Sequence, residues 1–180
     1  MVIPLEKIKT IILYFCKNTN PRYLGKIKLM KLFYFLDFEH TKQYGIPVTF
    51  DMYYHLEKGP IPSFIMNLVD EASEDGIETL RDTISFQRPK GTQRMVQAVA
   101  QRDFTKSDVE SLLPSELKIL EQISKKFYNY TADAIIEESH KEAPWIETKI
   151  SQIIPYSLAA MDATSNFTEQ EIELAVKITS

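Results

Sequence analysis

From Lys28 to Tyr44 the chain runs KLMKLFYFLDFEHTKQY, a helix apolar on most of its circumference. Leu29, Leu32, Phe33 and Leu36 fall at the i, i+3, i+4, i+7 positions of one face, and Tyr34, Phe35, Phe38 and Tyr44 spread beyond it. A helix like this is usually surrounded by others rather than laid on a surface. Lys28, Lys31, Asp37, Glu39 and Lys42 take most of the other side. Gly25 favours a start near Lys26. Gly45 supplies the left-handed residue that ends the helix, and Pro47 stops any continuation. The central helix is therefore expected over about 26–44.

The remaining elements follow from local signals. A first helix is expected from Pro4, burying Leu5, Ile8, Ile12 and Phe15. Val48–Glu57, rich in β-branched and aromatic residues, predicts one or two short strands. Gly59-Pro60-Ile61-Pro62 is read as a turn because of its proline density. Ser63 is positioned to cap a third helix that buries Ile65, Leu68, Val69 and Ala72 and ends at Gly76. Its acidic end (Asp70, Glu71, Glu74, Asp75) opposes the helix dipole, a cost of a few tenths of a kcal/mol per exposed group. Thr83–Arg88 and Arg94–Gln101 alternate about Pro89-Lys90-Gly91-Thr92 as a hairpin. Ser107 and Glu110 suggest a capping box for a helix that Pro114 interrupts. A helix over Ser115–Tyr128 buries Leu117, Leu120, Ile123, Ser124 and Phe127. Thr131 caps a short helix to Ser139, Pro155 breaks a mixed stretch from Ile146 to Met161, and Thr168 with Glu171 opens a last helix over Glu169–Ile178. The fold class is mainly α (α+β): a single-domain helical bundle over 1–180, built around the central helix, with a small antiparallel hairpin or sheet.

With 180 residues, 44% hydrophobic and 26% charged, the composition is that of an ordinary globule. No apolar run approaches the roughly 20 residues a bilayer span needs, so no membrane partner is expected. The amino-terminal patch lacks the small-residue cleavage site of a secretory signal. The lone Cys16 fits a reducing, cytoplasmic setting. The net charge of −4 is uneven: residues 1–31 hold seven of the 21 basic groups (Lys7, Lys9, Lys17, Arg22, Lys26, Lys28, Lys31) and only Glu6 of the 25 acids. This basic end is first a solvated helix face and second a contact surface for a charged partner. A pI near 5.5 argues against nucleic acid as that partner.

No catalytic constellation emerges. His40, His55 and His140 share no metal-ligand spacing, although Asp37, Glu39, His40, His55 and Glu57 could in principle converge. Cys16 sits beside Ile12 and Phe15 as buried filler rather than as a nucleophile. No glycine pair forms a phosphate loop. Catalytic, metal and cofactor-binding residues are therefore all expected to be absent, and the chain is not expected to be an enzyme. Two stretches stand out instead. Tyr34 and Phe38 can serve as core or as an exposed aromatic patch. Ser139-His140-Lys141-Glu142-Ala143-Pro144-Trp145 predicts a helix corner pinned by a buried indole, or else a recognition surface with His140 and Trp145 beside Gly59-Pro60.

The K-L-x-K-L-x-Y-F-x-D run from Lys28 to Asp37, followed by Tyr44-Gly45-x-Pro47, Gly59-Pro60-x-Pro62 and Ser139-His140 with Pro144-Trp145, resembles the Panacea, or SocA-like, antitoxin domain, a family of bacteria and prophages formerly described as phage-associated protein. The resemblance spans about residues 5–160; only Ile77–Asp108 matches no family motif and is the place where partner choice would differ. It implies a mainly helical antitoxin that neutralises a protein toxin, encoded by the adjacent gene, through direct protein–protein binding. It also implies an adaptor variant that hands the toxin to a ClpXP-like protease, and a homodimer is a further assembly considered. Family-motif and partner-binding candidates are Lys28, Lys31, Tyr34, Asp37, Tyr54, Gly59, Pro60, His140 and Trp145. The alternatives are a prophage-encoded nucleic-acid-binding regulator that uses the basic end and a metal-dependent hydrolase.

Overall fold

The computed structural model describes residues 5–73, 78–88 and 96–179. Helix α1 (Leu5–Asn18) leads through a 3₁₀ turn at Pro21–Tyr23 into α2 (Lys26–Tyr44). Strands β1 (Tyr53–Leu56) and β2 (Gly59–Pro62) form a hairpin, followed by α3 (Ser63–Ser73). Strands β3 (Ile84–Gln87) and β4 (Gln97–Ala100) then pair, and α4 (Lys106–Val109), α5 (Pro114–Lys126), α6 (Ala132–Ser139) and α7 (Ala143–Ile146) follow. The chain closes with β5 (Ile153–Ile154), a 3₁₀ turn at Tyr156–Met161 and α8 (Glu169–Thr179). The fold is mainly α with a small antiparallel sheet, as expected.

The expected central helix is the hub of the core. Leu29, Met30, Leu32, Phe33, Tyr34, Leu36 and Phe38 are all at most 1% exposed. Helix α2 packs against α5, α6, α1, α3, β2 and the 3₁₀ turn at Tyr156–Met161. It starts at Lys26 and ends at Tyr44, with Gly45 at φ +79 donating its N–H to the Thr41 carbonyl. The small sheet has the order β2-β1-β5, antiparallel throughout, with Tyr53 opposite Pro62 and Ile154, and Tyr54 opposite Ile61 and Ile153. β3 and β4 form a separate ladder with Ile84 opposite Ala100; the turn proposed at Pro89–Thr92 and the helix end proposed at Gly76 lie outside the described residues.

Several local expectations need correction. Gly59–Pro62 is a strand, not only a turn. It lies at the edge of its sheet, where missing proline N–H groups cost no ladder bond. Pro60 turns its carbonyl away from β1 to accept from Lys31 Nζ at 2.7 Å. Only Tyr53–Leu56 of the Val48–Glu57 stretch is strand. The start of α3 is capped from outside the helix: Asp51 accepts from the N–H groups of Phe64 (2.9 Å) and Ile65 (2.8 Å), so Ser63 is not the capping side chain. Asp70 forms an ion pair with Lys26, which compensates part of the unfavourable charge at the end of α3. The box opening α4 is Thr105 with Asp108, whose carboxylate accepts from the Thr105 N–H at 2.7 Å; it is not Ser107 with Glu110. The caps at Thr131 and Thr168 stand where the sequence puts them.

Candidate functional site

The charged residues of α2 fold inward. Lys28, Lys31 and Asp37 are fully buried and Lys42 is 4% exposed, which overturns the expectation of a solvated face. Lys28 Nζ donates to the Tyr128 carbonyl at 3.0 Å, and burial lowers its pKa to about 8. Lys31 Nζ donates to the Pro60 carbonyl, and burial lowers its pKa to about 7. Burial also works against the charge on Lys42, but Glu142 (2.8 Å) and Asp162 (2.7 Å) outweigh it and hold the pKa above the ordinary lysine value.

Asp37 is the densest of these centres. Its Oδ1 accepts from the N–H groups of Val48 and Thr49, each at 2.8 Å, and its Oδ2 accepts from the hydroxyls of Thr49 and Tyr53 (2.8 Å). Burial pushes its pKa up to about 6; the donated hydrogen bonds act the other way and do not cancel it. The segment between α2 and β1 is thus tied to the core by one carboxylate. Tyr156 adds a second tie by donating to the Asp51 carbonyl at 2.7 Å.

The hairpin docks on the corner between α6 and α7. Gly59 has φ +91, and a Cβ there would stand 2.6 Å from Ser139 Oγ and 2.8 Å from Lys31 Cε, so both the backbone and the close approach require glycine. His55, which pairs with Pro60 across the hairpin, stacks on Trp145 with ring centroids 3.3 Å apart; His140 covers the other side of the indole at 4.3 Å. Thr148 Oγ1 donates to the Pro144 carbonyl at 2.8 Å, which leaves it to accept from His55 Nδ1 at 2.9 Å and so places the His55 proton on Nδ1. His140 Nε2 and Tyr34 Oη are buried without a hydrogen-bond partner among the described residues. Burial lowers the pKa of both stacked histidines; each also feels a neighbouring cation, His140 for His55 and Lys31 for His140.

The structure therefore brings together Lys31, Gly59, Pro60, His140 and Trp145, with Tyr34 one helical turn along from Lys31. Trp145 is half-buried in a three-ring stack, not the fully buried pin of one sequence reading. Lys28 and Asp37 serve other contacts of α2. Lys28, Lys31, Tyr34 and Asp37 are all enclosed, so they hold the segments packed on α2 in place and do not themselves meet solvent. Trp145 is the only tryptophan, so its emission reports the stack. Acidification is expected to quench that fluorescence as the flanking imidazoles become cationic, with a midpoint below the ordinary histidine value of about 6.5. A fluorescence titration of the intact chain checks this, and a midpoint above that value would contradict the packing described.

Tyr54 opens a surface that sequence reasoning touched at one residue only. Residues 52, 54 and 56 alternate with the inward Tyr53 and His55, so Met52, Tyr54 and Leu56 share the outer face of the sheet, and Ile153 joins them opposite Tyr54. Met52, Leu56 and Ile153 are 48%, 42% and 50% exposed. A solvated sheet face ordinarily alternates to polar residues; this one is apolar. The signal lay in the sequence, in the apolar identity of the outer set Met52, Tyr54 and Leu56.

The proposed acid–imidazole convergence does not form. His40 spends its nitrogens on the Ile46 carbonyl (2.6 Å) and Ser115 Oγ (3.1 Å), and among the described residues no group of three or more His, Cys, Asp or Glu is placed to hold a metal ion. Burial raises the Cys16 thiol to about 12, far from a reactive thiolate. No helix among the described residues is long and apolar enough to cross a membrane. A family model described as Antitoxin SocA-like, Panacea domain matches residues 29–146, a span that includes the central helix from Leu29 on, the β1–β2 hairpin, strands β3 and β4 and the His140–Trp145 corner. That span is shorter than the 5–160 of the sequence resemblance and includes the segment Ile77–Asp108. No curated protein and no solved structure matches.

Proposed function

This chain belongs to the SocA-like, Panacea-domain antitoxin family, and from that premise we propose that it is the antitoxin of a two-gene module, acting in the cytoplasm by binding the protein toxin encoded beside it. The observation that carries this reading is the family match over 29–146. The geometry supports a binding role: the buried charges of α2 stiffen a scaffold, and the exposed surface offers an apolar sheet face and an aromatic corner, the residue types that concentrate binding energy. Neutralisation then proceeds by contact, without bond making or breaking by this chain. Delivery of the toxin to a ClpXP-like protease and self-association into a homodimer are finer elements of the same proposal.

The nucleic-acid alternative loses two of the seven basic groups it drew on, because Lys28 and Lys31 are enclosed and cannot neutralise phosphates. Co-expression tests the antitoxin reading. One neighbouring reading frame that arrests growth alone is expected to be rescued by this chain and to co-purify with it. Rescue by no such frame, and no co-purifying protein, would overturn the reading.

A further inference from the structure

We propose that the His55–Trp145–His140 stack is an acid-operated latch, in which protonation of the two imidazoles expels the His140 ring and bares one face of the indole. The two histidines are held unequally. His55 is fastened on the Trp145 side of the corner by three bonds: its Nδ1–H donates to Thr148 Oγ1 at 2.9 Å, its N–H donates to the Gln152 carbonyl at 2.9 Å, and its carbonyl accepts from the Ser151 N–H at 2.8 Å. The His140 side chain makes no hydrogen bond among the described residues, and its Nε2 is buried. Its ring lies flat on the indole instead, with centroids 4.3 Å apart and planes 15° from parallel.

Protonation acts on this asymmetry. Whichever nitrogen carries the proton of the neutral His140 ring, the cationic ring presents an N–H at Nε2 that has no acceptor, and a buried donor without a partner is costly. One imidazolium over an indole face is attractive, so His55, which keeps its bond to Thr148, can hold its charge in place. A second on the opposite face is repelled by the first, and the Lys31 ammonium, whose Nζ donates to the Pro60 carbonyl, adds to that repulsion. The other groups around the corner offer no relief. Glu142 is paired with Lys42 and Glu138 with Lys141. Glu57 and Lys58 at the hairpin tip, and Glu137, Glu147 and Lys149 on the α6–α7 side, are exposed to water. Tyr34 is held neutral by burial. The stacked corner therefore binds fewer protons than the opened one, and acid favours the form that binds more. Burial depresses both imidazoles, which sets the transition below the ordinary histidine value of about 6.5.

Because Trp145 is the only tryptophan, acrylamide quenching of the intact chain reads its accessibility. The lifetime-corrected Stern–Volmer constant is expected to rise about twofold as the pH falls from about 7.5 to about 5, the range in which histidines change charge, with far-UV circular dichroism unchanged. His140→Phe keeps a flat ring on the indole and removes the charge, so its constant is expected to stay at the low value throughout. His140→Ala leaves the indole face bare and is expected to give the high value at every pH. A wild-type constant that does not change over this range overturns the latch. So does a His140→Phe variant that rises together with wild type, or a rise that comes only with loss of the far-UV signal. The latch belongs to the chain alone, so each of these results is independent of whether a toxin is bound.

Discussion

Replacing Asp37 with alanine is expected to remove about 3–5 kcal/mol of stability, the scale of breaking a buried charged network. Domains of this size are held by about 5–15 kcal/mol in total, so the variant stands at or near the edge of folding. The reason lies in what remains behind. Four donors converge on the carboxylate: the N–H groups of Val48 and Thr49 and the hydroxyls of Thr49 and Tyr53. Alanine leaves them in a site with no solvent access, where each unsatisfied group costs about 1–3 kcal/mol before relaxation. Loss of the tie frees the segment that leads into β1, so the damage extends to the sheet face and to the hairpin that docks on Trp145. Asp37→Asn is the milder companion. Its amide oxygen can serve the two backbone donors, while the hydroxyls turn to accept from its NH₂ group. Urea unfolding followed by circular dichroism orders the three proteins as wild type, Asn, Ala. An alanine variant within about 1 kcal/mol of wild type would remove Asp37 from its place as the organising residue.

Which parts of this architecture were legible depends on how far their causes reach along the chain. The ends of α2 were readable because Gly25, Gly45 and Pro47 act within a turn of where they stand, and the caps at Thr131 and Thr168 bond three residues on. The β3–β4 ladder followed from alternation. The fate of the charged side of α2 was not readable, since the partners lie far away in sequence: Tyr128 for Lys28, Pro60 for Lys31, the Val48–Tyr53 segment for Asp37. Periodicity places these residues on one side of a helix; only tertiary packing decides whether that side meets water. The α3 cap failed for a similar reason, because Asp51 reaches it from outside the helix. Gly59–Pro62 became a strand through its edge position, which proline content alone does not reveal. The His55–Trp145–His140 stack joins three elements, and just two of its rings were singled out together from sequence.

Lys31 makes a prediction in pH rather than in structure. Burial brings its pKa from 10.5 to about 7, so below about pH 7 the folded state carries an amine charge that water would solvate better. Above it the folded chain sheds the proton while the unfolded chain keeps it, and the penalty disappears progressively up to 10.5. Where the unfolded state binds more protons, stability rises with pH. The wild type is therefore expected to gain up to about 1.4 kcal/mol per pH unit from this one group between about pH 7 and 10, an upper bound for an amine this deeply placed. Asp37 has the opposite sign in a lower window. Its carboxyl is raised from 3.8 to about 6, so its contribution falls as pH rises through that range and does not overlap the lysine effect. Lys28, lowered to about 8, adds a rise of its own, so wild type alone cannot isolate Lys31. Lys31→Met can. The thioether keeps the length and apolar body of the side chain, removes the titrating amine and leaves Lys28 in place, at the cost of the bond to the Pro60 carbonyl. Unfolding free energies of both proteins across this window should diverge, with the difference in favour of wild type growing as pH increases. Parallel curves would mean that the Lys31 amine is solvated and not clamped beneath the hairpin, and the corner built on it would have to be redrawn.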